Sequence, residues 1–205
     1  MYKRQVPFIA KVLGKPLAKI ATKIMLGSKI NTMNLEEINI NHFAIKEAVF
    51  PFKRFTGVDT ILGPEMRSTG EVMGIDKDFG MAFAKSQIGS GSKIPIGGAV
   101  FVSVKDGDKD KILKPVSELI SLGFEIYATD GTAEFFNKNN IKAEKINKVL
   151  QGSPHIVEMI SEKKISLVFN TTETPQAIKD SKSIRRSALE SETPYYTTVS
   201  VSYTH

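Results

Sequence analysis

The most constraining feature of this sequence is a regular alternation of short apolar, β-branched runs with helical segments between residues 99 and 198. Strands separated by helices of this length require right-handed crossover connections, and they therefore pair in parallel. The sequence predicts an α/β fold with a doubly wound, five-stranded parallel sheet. The predicted strands are 99–104, 124–128, 142–146, 165–169 and 194–198, and the predicted helices are 109–122, 132–139, 154–163 and 183–191.

The residues before this unit follow a different pattern. Apolar side chains at helical spacing, with Pro16 before them and Gly27 after them, predict a helix over 17–26. A shorter helix is predicted at 79–87, and 46–52 is predicted to be extended. Residues 57–74 contain too much glycine and proline for a helix. A stretch rich in Gly and Ser then marks a boundary, which gives an N-terminal part at 1–88, a linker at 89–98 and a C-terminal domain at 99–205.

Composition excludes several classes of function. The chain has no cysteine, which excludes disulfide and thiolate-metal chemistry and fits a reducing cytosol. No apolar run approaches the roughly 18 residues of a membrane span, and the N-terminus lacks the apolar core of a signal peptide. The net charge of +6 comes from lysines spread among acids, which is typical of a solvated surface. We therefore predict a cytoplasmic protein with neither a membrane nor a nucleic-acid partner.

Small polar residues and lysines follow the carboxyl ends of several predicted strands. Because those ends meet at one edge of a parallel sheet, where helix N-termini offer free N–H groups, we expect these residues to surround one ligand. Hydroxyls, backbone amides and ammonium groups together suit a phosphate-sized anion. The competing interpretation is ordinary helix capping, and the pattern alone leaves both open. This carboxyl-end rim comprises Ser103, Gly107, Asp108, Lys109, Thr129, Gly131, Thr132, Lys148, Asn170, Thr171 and Thr172.

Other site patterns are absent from the sequence. The three histidines show no metal-ligand or protease spacing, and we predict that His155 caps a helix rather than acting as a general base. The alternating acids at 106, 108 and 110 resemble the start of a calcium loop, but Lys111 and Ser117 stand where that loop requires glycine and glutamate. We therefore predict no catalytic residue and no metal site in this chain.

Two segments carry a resemblance to one known family. Residues 57–74, which read GVDTILGPEMRSTGEVMG, together with Val49-Phe50-Pro51-Phe52, are similar to the end of the second ATP-grasp unit of the carbamoyl-phosphate synthetase large subunit. Residues 99–198, with Gly107-Asp108-Lys109, Thr129-Asp130-Gly131-Thr132 and Asn170-Thr171-Thr172, resemble the methylglyoxal-synthase-like regulatory domain that ends the same polypeptide. The resemblance implies an incomplete α+β ATP-grasp remnant followed by an allosteric domain.

The resemblance also implies an activity and its participants. The full enzyme is an ATP-dependent ligase that makes carbamoyl phosphate from bicarbonate, glutamine-derived ammonia and ATP, for arginine and pyrimidine synthesis. Its cofactors are ATP with Mg or Mn, and K; its partners are a glutaminase small subunit and the rest of the large subunit. The effector nucleotide, UMP or IMP, would contact Ser103, Lys109, Thr129, Thr132, Lys148, Asn170, Thr171, Thr172 and Asp180. An ornithine site between the two domains would use Glu47, Leu62, Tyr195 and Thr197.

Departures from the family limit what this chain does alone. The resemblance places the ATP-binding core and its metal ligands before Val6, so the chain by itself is expected to be inactive and to need no cofactor. Residues 1–5 and 199–205 do not resemble the family. We expect this chain to lack the family's usual final helix, so that its regulatory domain is truncated at the C-terminus. Residues 1–92 are expected to be the less stable part.

The alternative function is a free-standing lyase of the methylglyoxal synthase type. That enzyme uses an aspartate in a Gly-rich loop after the third strand, and the corresponding residues 151–155 here carry no carboxylate. A third reading, a nucleic-acid-binding module, rests on the basic isoelectric point alone.

Overall fold

The computed structural model describes residues 5–33, 35, 38–49, 70–147, 152–171 and 181–202. The predicted helix at 17–26 is confirmed, and α3 runs two residues beyond the predicted end at 87. The extended segment predicted at 46–52 is confirmed over 46–49, and 50–52 lie outside the described residues. The N-terminal elements are α1 (Gln5–Leu13), α2 (Leu17–Met25), a 3₁₀ turn (Ile30–Thr32), β1 (Phe43–Val49), β2 (Gly70–Asp76) and α3 (Phe79–Gly89).

Strands β1 and β2 form an antiparallel pair whose register runs from Phe43 opposite Asp76 to Val49 opposite Gly70. Helix α3 packs on this pair, and its start is fixed because the Asp78 carboxylate accepts a hydrogen bond from the Met81 amide at 2.9 Å. Helices α1 and α2, by contrast, contain no buried residue. Their apolar faces therefore contribute little to the free energy of folding in this part of the chain.

Residues 90–98 contain neither helix nor strand, and the α/β unit follows them. All four pairs in its sheet are parallel, and the strand order is β5-β4-β3-β6-β7. This confirms the predicted α/β fold with a five-stranded parallel sheet. The elements are β3 (Ala99–Ser103), a 3₁₀ turn (Asp106–Asp108), α4 (Lys109–Ser121), β4 (Glu125–Ala128), α5 (Asp130–Lys138), β5 (Glu144–Lys145), α6 (Ile156–Ser161), β6 (Ile165–Asn170), α7 (Lys182–Glu190), β7 (Tyr195–Tyr196) and α8 (Val199–Ser202).

The central strand β3 is buried on both faces, which is the physical signature of a doubly wound sheet. Val100 and Val102 lie in one apolar cluster with residues of α4 and α5. Ala99 and Phe101 lie in a second cluster with residues of α6 and α7. A continuous apolar run, rather than an alternating one, is what this two-sided burial requires of the sequence.

Helix α4 ends where its sequence indicates. Gly123 follows the helix with a φ of 88°, a left-handed conformation that glycine adopts without strain. Its N–H donates to the Ile120 carbonyl at 2.9 Å, and the Phe124 N–H donates to the Leu119 carbonyl at 3.0 Å. This pair of bonds is the Schellman motif, and it turns the chain directly into β4.

The short helix α8 follows residue 198. Val199 is 7% exposed and belongs to the cluster that also contains Val116 and Leu119 of α4. Burial of this one apolar side chain gives the segment a place to pack, although its sequence does not resemble the family's. Most helical stability in proteins comes from such packing and not from local propensity.

Candidate phosphate-binding rim

The carboxyl ends of β3 and β4 bring three predicted site residues together. Thr129 Oγ1 lies 3.3 Å from Ser103 Oγ and 3.4 Å from Thr132 Oγ1, and it is the donor in both contacts. A hydroxyl has one proton, so Thr129 shares it between two long contacts. A phosphate oxygen is a stronger acceptor than either hydroxyl, and it could take this proton in a shorter bond.

The hydroxyls of Thr171 and Thr132 fix the backbone around the rim. Thr171 Oγ1 accepts from the Lys105 N–H at 3.0 Å, and the Thr171 N–H donates to the Ser103 carbonyl at 3.0 Å. Thr132 Oγ1 accepts from the Val104 N–H at 3.4 Å. These bonds tie the turn after β3 to the ends of β4 and β6, so the rim is held by both neighbouring strands.

The helix-capping interpretation is not realised at the two helices that start at this rim. Thr129 occupies the N-cap position of α5 and Asp108 that of α4, yet neither side chain makes a capping hydrogen bond to any described residue. At His155 and Asp78, by contrast, side-chain caps are present. The Thr129 and Asp108 side chains are therefore not used as helix caps.

Lys109 brings positive charge to the same place. Its Nζ would lie 3.7 Å from a Cβ atom at Gly131, so the ammonium sits over the first turn of α5. It also lies 5.8 Å from the centroid of the Phe135 ring, and the side chain is only 19% exposed. The Asp106 carboxylate, 2.7 Å from Nζ, holds the other side of the ammonium. A helix N-terminus and a nearly buried cation together favour an anion.

The remaining predicted residues fall into two groups. Asn170 is 3% exposed, and its amide donates to Ser181 Oγ at 2.9 Å and to the Tyr195 hydroxyl at 2.8 Å, so these donors face α7 and β7 rather than Thr129. Four predicted residues of the nucleotide and ornithine sites lie outside the described residues and stay predictions. These are Lys148, Thr172, Asp180 and Leu62.

A second polar group joins the two halves of the chain near the predicted ornithine residue Glu47. Burial raises the pKa of the Glu47 carboxyl, and a hydrogen bond from the Gln87 side chain partly lowers it. Gln87 is 7% exposed, and its Oε1 accepts from the Tyr196 hydroxyl at 3.4 Å. Burial, and then the charge of Glu47, raise the pKa of Tyr196. Thr197 is exposed.

Gln87 and Tyr196 are residues that the sequence analysis missed. Tyr195 was named instead, and the structure directs its hydroxyl to Asn170. Adjacent residues of a strand face opposite sides, so only the register of β7 decides which tyrosine meets α3. Tyr196 also stacks on Phe169, with ring centroids 5.8 Å apart. No pattern within either segment indicates that the Gln87 and Tyr196 side chains meet.

We expect the substitution Glu47→Gln to raise the melting temperature at pH 7. The folded-state pKa of Glu47 lies above its ordinary value of 4.5, so folding disfavours the ionised form and stability falls as pH rises through the folded-state pKa. The uncharged amide avoids this cost. The difference between variant and wild type should shrink as pH falls below 4.5, where the carboxyl is protonated in both states. Melting curves measured from about pH 4 to about pH 8 cover the titration of this carboxyl in the folded and the unfolded protein, and they test the prediction. A lower melting temperature for the variant at pH 7 would contradict it.

His155 performs the capping role predicted for it. Its Nδ1 accepts from the Glu158 N–H at 3.3 Å, and Glu158 Oε2 accepts in return from the His155 N–H at 3.0 Å. Ser153 Oγ donates to the same carboxylate at 2.9 Å. This reciprocal capping box starts α6. The imidazole nitrogen that a general base would need is therefore already used as a hydrogen-bond acceptor.

Two classes of feature are missing from the part of the chain that the structure describes. Its His, Asp and Glu side chains nowhere gather in a group of three that could hold a metal ion. None of its helices combines the length and apolar character that a bilayer-spanning helix requires.

Part of the α/β unit matches a known protein family. Residues 111–197 match the family model described as the MGS-like domain. These residues are therefore similar to MGS-like domains. A solved methylglyoxal synthase from Elizabethkingia anophelis is similar at a TM-score of 0.39 and 16% identity, over 54% of this chain and 76% of that one, which is too distant to support a function.

Relatives by sequence extend the match to both sides of the MGS-like domain. Carbamoyl phosphate synthase large chains are 53% identical over 203 residues in Mesorhizobium japonicum and 50% identical over 198 residues in Methanobrevibacter smithii. Each alignment covers 96% of this chain, but only 17% and 18% of the relatives. The chain thus spans about a sixth of the length of the curated relatives it matches. The family predicted from the sequence is confirmed, with this chain similar to the C-terminal part of those proteins.

Proposed function

We propose that this chain is the C-terminal part of a carbamoyl phosphate synthase large subunit, and that its MGS-like domain binds the phosphate of a regulatory nucleotide at the carboxyl-end rim. The observation that carries the proposal is the convergence of Lys109, Thr129 and the start of α5, with the Thr129 side chain not used as a cap. A cation, a shared hydroxyl proton and a helix N-terminus are three independent attractions for one anion.

The chemistry of this rim suits binding and not turnover. Its described hydroxyls contact one another or the backbone, and we assign no general base or nucleophile among them. Reversible binding of a regulatory phosphomonoester, UMP or IMP, needs only hydroxyls, a cation and a helix N-terminus, and it needs no catalytic residue. Lys148, Thr172 and Asp180 would complete the site. Ornithine would bind between the halves, near the half-buried Glu47 carboxylate, which could pair with an amine.

The full subunit, on this proposal, is a cytoplasmic ligase acting with a glutaminase small subunit. It would form carbamoyl phosphate from bicarbonate, glutamine-derived ammonia and ATP, for arginine and pyrimidine synthesis. Residues 1–88 would be the end of its second ATP-grasp unit. ATP with Mg or Mn, and K, would be its cofactors, and the described residues of this chain, which gather no metal-ligating group, are not assigned to hold them.

The test is a calorimetric titration of the chain and of Lys109→Ala with UMP and with uridine. A charge-assisted hydrogen bond contributes about 1.5–3 kcal/mol, so the variant should bind UMP about tenfold or more weakly. Uridine lacks the phosphate, and it should bind poorly to both proteins. Lys114→Ala is the matched control, because Lys114 lies on the same helix with 76% of its side chain exposed. Equal weakening of UMP and uridine by Lys109→Ala would show that Lys109 does not contact phosphate.

A further inference from the structure

The Lys109 side chain is held by packing as well as by its ion pair. Its stem leaves only 19% of the side chain exposed, and its ammonium lies over the Phe135 ring and beside Gly131. A lysine buried to this extent along its methylene groups keeps its position when a surface partner is removed. The ammonium would therefore remain at the start of α5 without Asp106.

Asp106 is the opposite kind of residue. It lies in the 3₁₀ turn Asp106–Asp108 with 94% of its side chain exposed, yet its Oδ1 is 2.7 Å from Lys109 Nζ. The hydrogen bond from Lys109, and then its charge, hold the pKa of Asp106 below the ordinary range. The carboxylate is consequently ionised at neutral pH, and it approaches the ammonium from the solvent side.

We propose that the Asp106 carboxylate is a built-in competitor for the anion that the rim binds, and that it sets the affinity of the site. This inference rests on the proposed function. A phosphate at the start of α5 and the carboxylate of Asp106 would share one ammonium, and two anions at that separation repel each other. Binding must therefore either move Asp106 away into solvent, which gives up the ion pair, or keep the pair and tolerate the repulsion; both cases weaken binding.

The alternative role for Asp106 is to orient Lys109 for the ligand. The two roles predict opposite signs. If Asp106 competes, removing its charge strengthens phosphate binding; if it orients, removing its charge weakens binding. The burial of Lys109 favours competition, since a side chain held by its own packing gains little from an exposed partner.

The experiment is a calorimetric titration of UMP into the full chain and into Asp106→Asn, which keeps the size of the side chain and removes its charge. Competition predicts that Asp106→Asn binds UMP about two- to fivefold more tightly, the size expected from an exposed ion pair. In a Lys109→Ala background the same substitution should give no such gain. Asp110→Asn is the matched control, because it removes the same charge one helical turn away and should change the affinity by less than Asp106→Asn.

Each result decides the matter. Tighter binding by Asp106→Asn alone, lost with Lys109→Ala, supports competition. Weaker or unchanged binding by Asp106→Asn overturns it while leaving the proposed function intact. An equal gain in Asp110→Asn overturns it as well, because the effect would then come from overall charge. Failure of the wild-type chain to bind either UMP or IMP overturns the proposed function, and this inference with it.

Discussion

Replacing Gly74 by alanine is expected to detach helix α3 from the β1–β2 pair. A Cβ at this position would meet the carbonyl of Ala82 and lie 2.6 Å from the amide nitrogen of Ser86, both of them backbone atoms of the helix. Backbone cannot rotate away as a flexible side chain can, so the strand and the helix must separate. Overpacking of this kind costs about 1–3 kcal/mol or more. Among the residues that the structure describes, α1 and α2 contain no buried residue, so they contribute little to holding the N-terminal part together.

Hydrogen exchange read by mass spectrometry measures this effect. We expect faster exchange over β1, β2 and α3 in Gly74→Ala, with exchange in β3 and β6 unchanged. Gly70→Ala is the control, since a Cβ on Gly70 in the same strand would meet no atom within 4 Å. Unchanged exchange in Gly74→Ala would contradict the close packing. In the wild type, the same measurement tests the prediction that residues 1–92 are less stable than residues 99–198.

The sheet was predictable from sequence because its physical cause is local. A buried parallel strand must be apolar on both faces, and a crossover helix must be amphipathic. The spacing of apolar residues therefore predicts the order of strands and helices. The rim followed from topology, because the carboxyl ends of neighbouring parallel strands meet. In the structure, Thr129 Oγ1 lies within 3.4 Å of the hydroxyl oxygens of both Ser103 and Thr132.

What was missed depends on contacts between distant segments. Tyr196 and Gln87 are 109 residues apart, and no spacing within either segment indicates that they meet. The failure of Thr129 to cap α5 was equally hidden, since a threonine at that position is compatible with both interpretations. Helix α8 depends on a site for Val199 between elements formed much earlier in the chain. The spacing of apolar residues predicts helices and strands, whereas these contacts depend on strand register and on packing between distant segments.

The second large effect is expected at the centre of the sheet. Phe101→Ala should lower the free energy of unfolding of the MGS-like domain by about 3–5 kcal/mol, the usual cost of removing a buried phenylalanine ring. Phe101 is fully buried in the central strand β3, pairs with Tyr127 and Val168 in register, and packs in the cluster formed with α6 and α7. The cavity would open on the face opposite Val100 and Val102.

Urea denaturation followed by circular dichroism measures this loss. The midpoint should fall in Phe101→Ala with little change in the slope, because stability changes while the surface exposed on unfolding does not. Phe43→Ala is the matched control, since Phe43 lies in β1 with 49% of its surface exposed and should cost far less. If the two substitutions cost the same, burial of β3 on both faces is wrong. The rim would then lose its physical basis too, because Ser103 is placed by the same strand that Phe101 anchors.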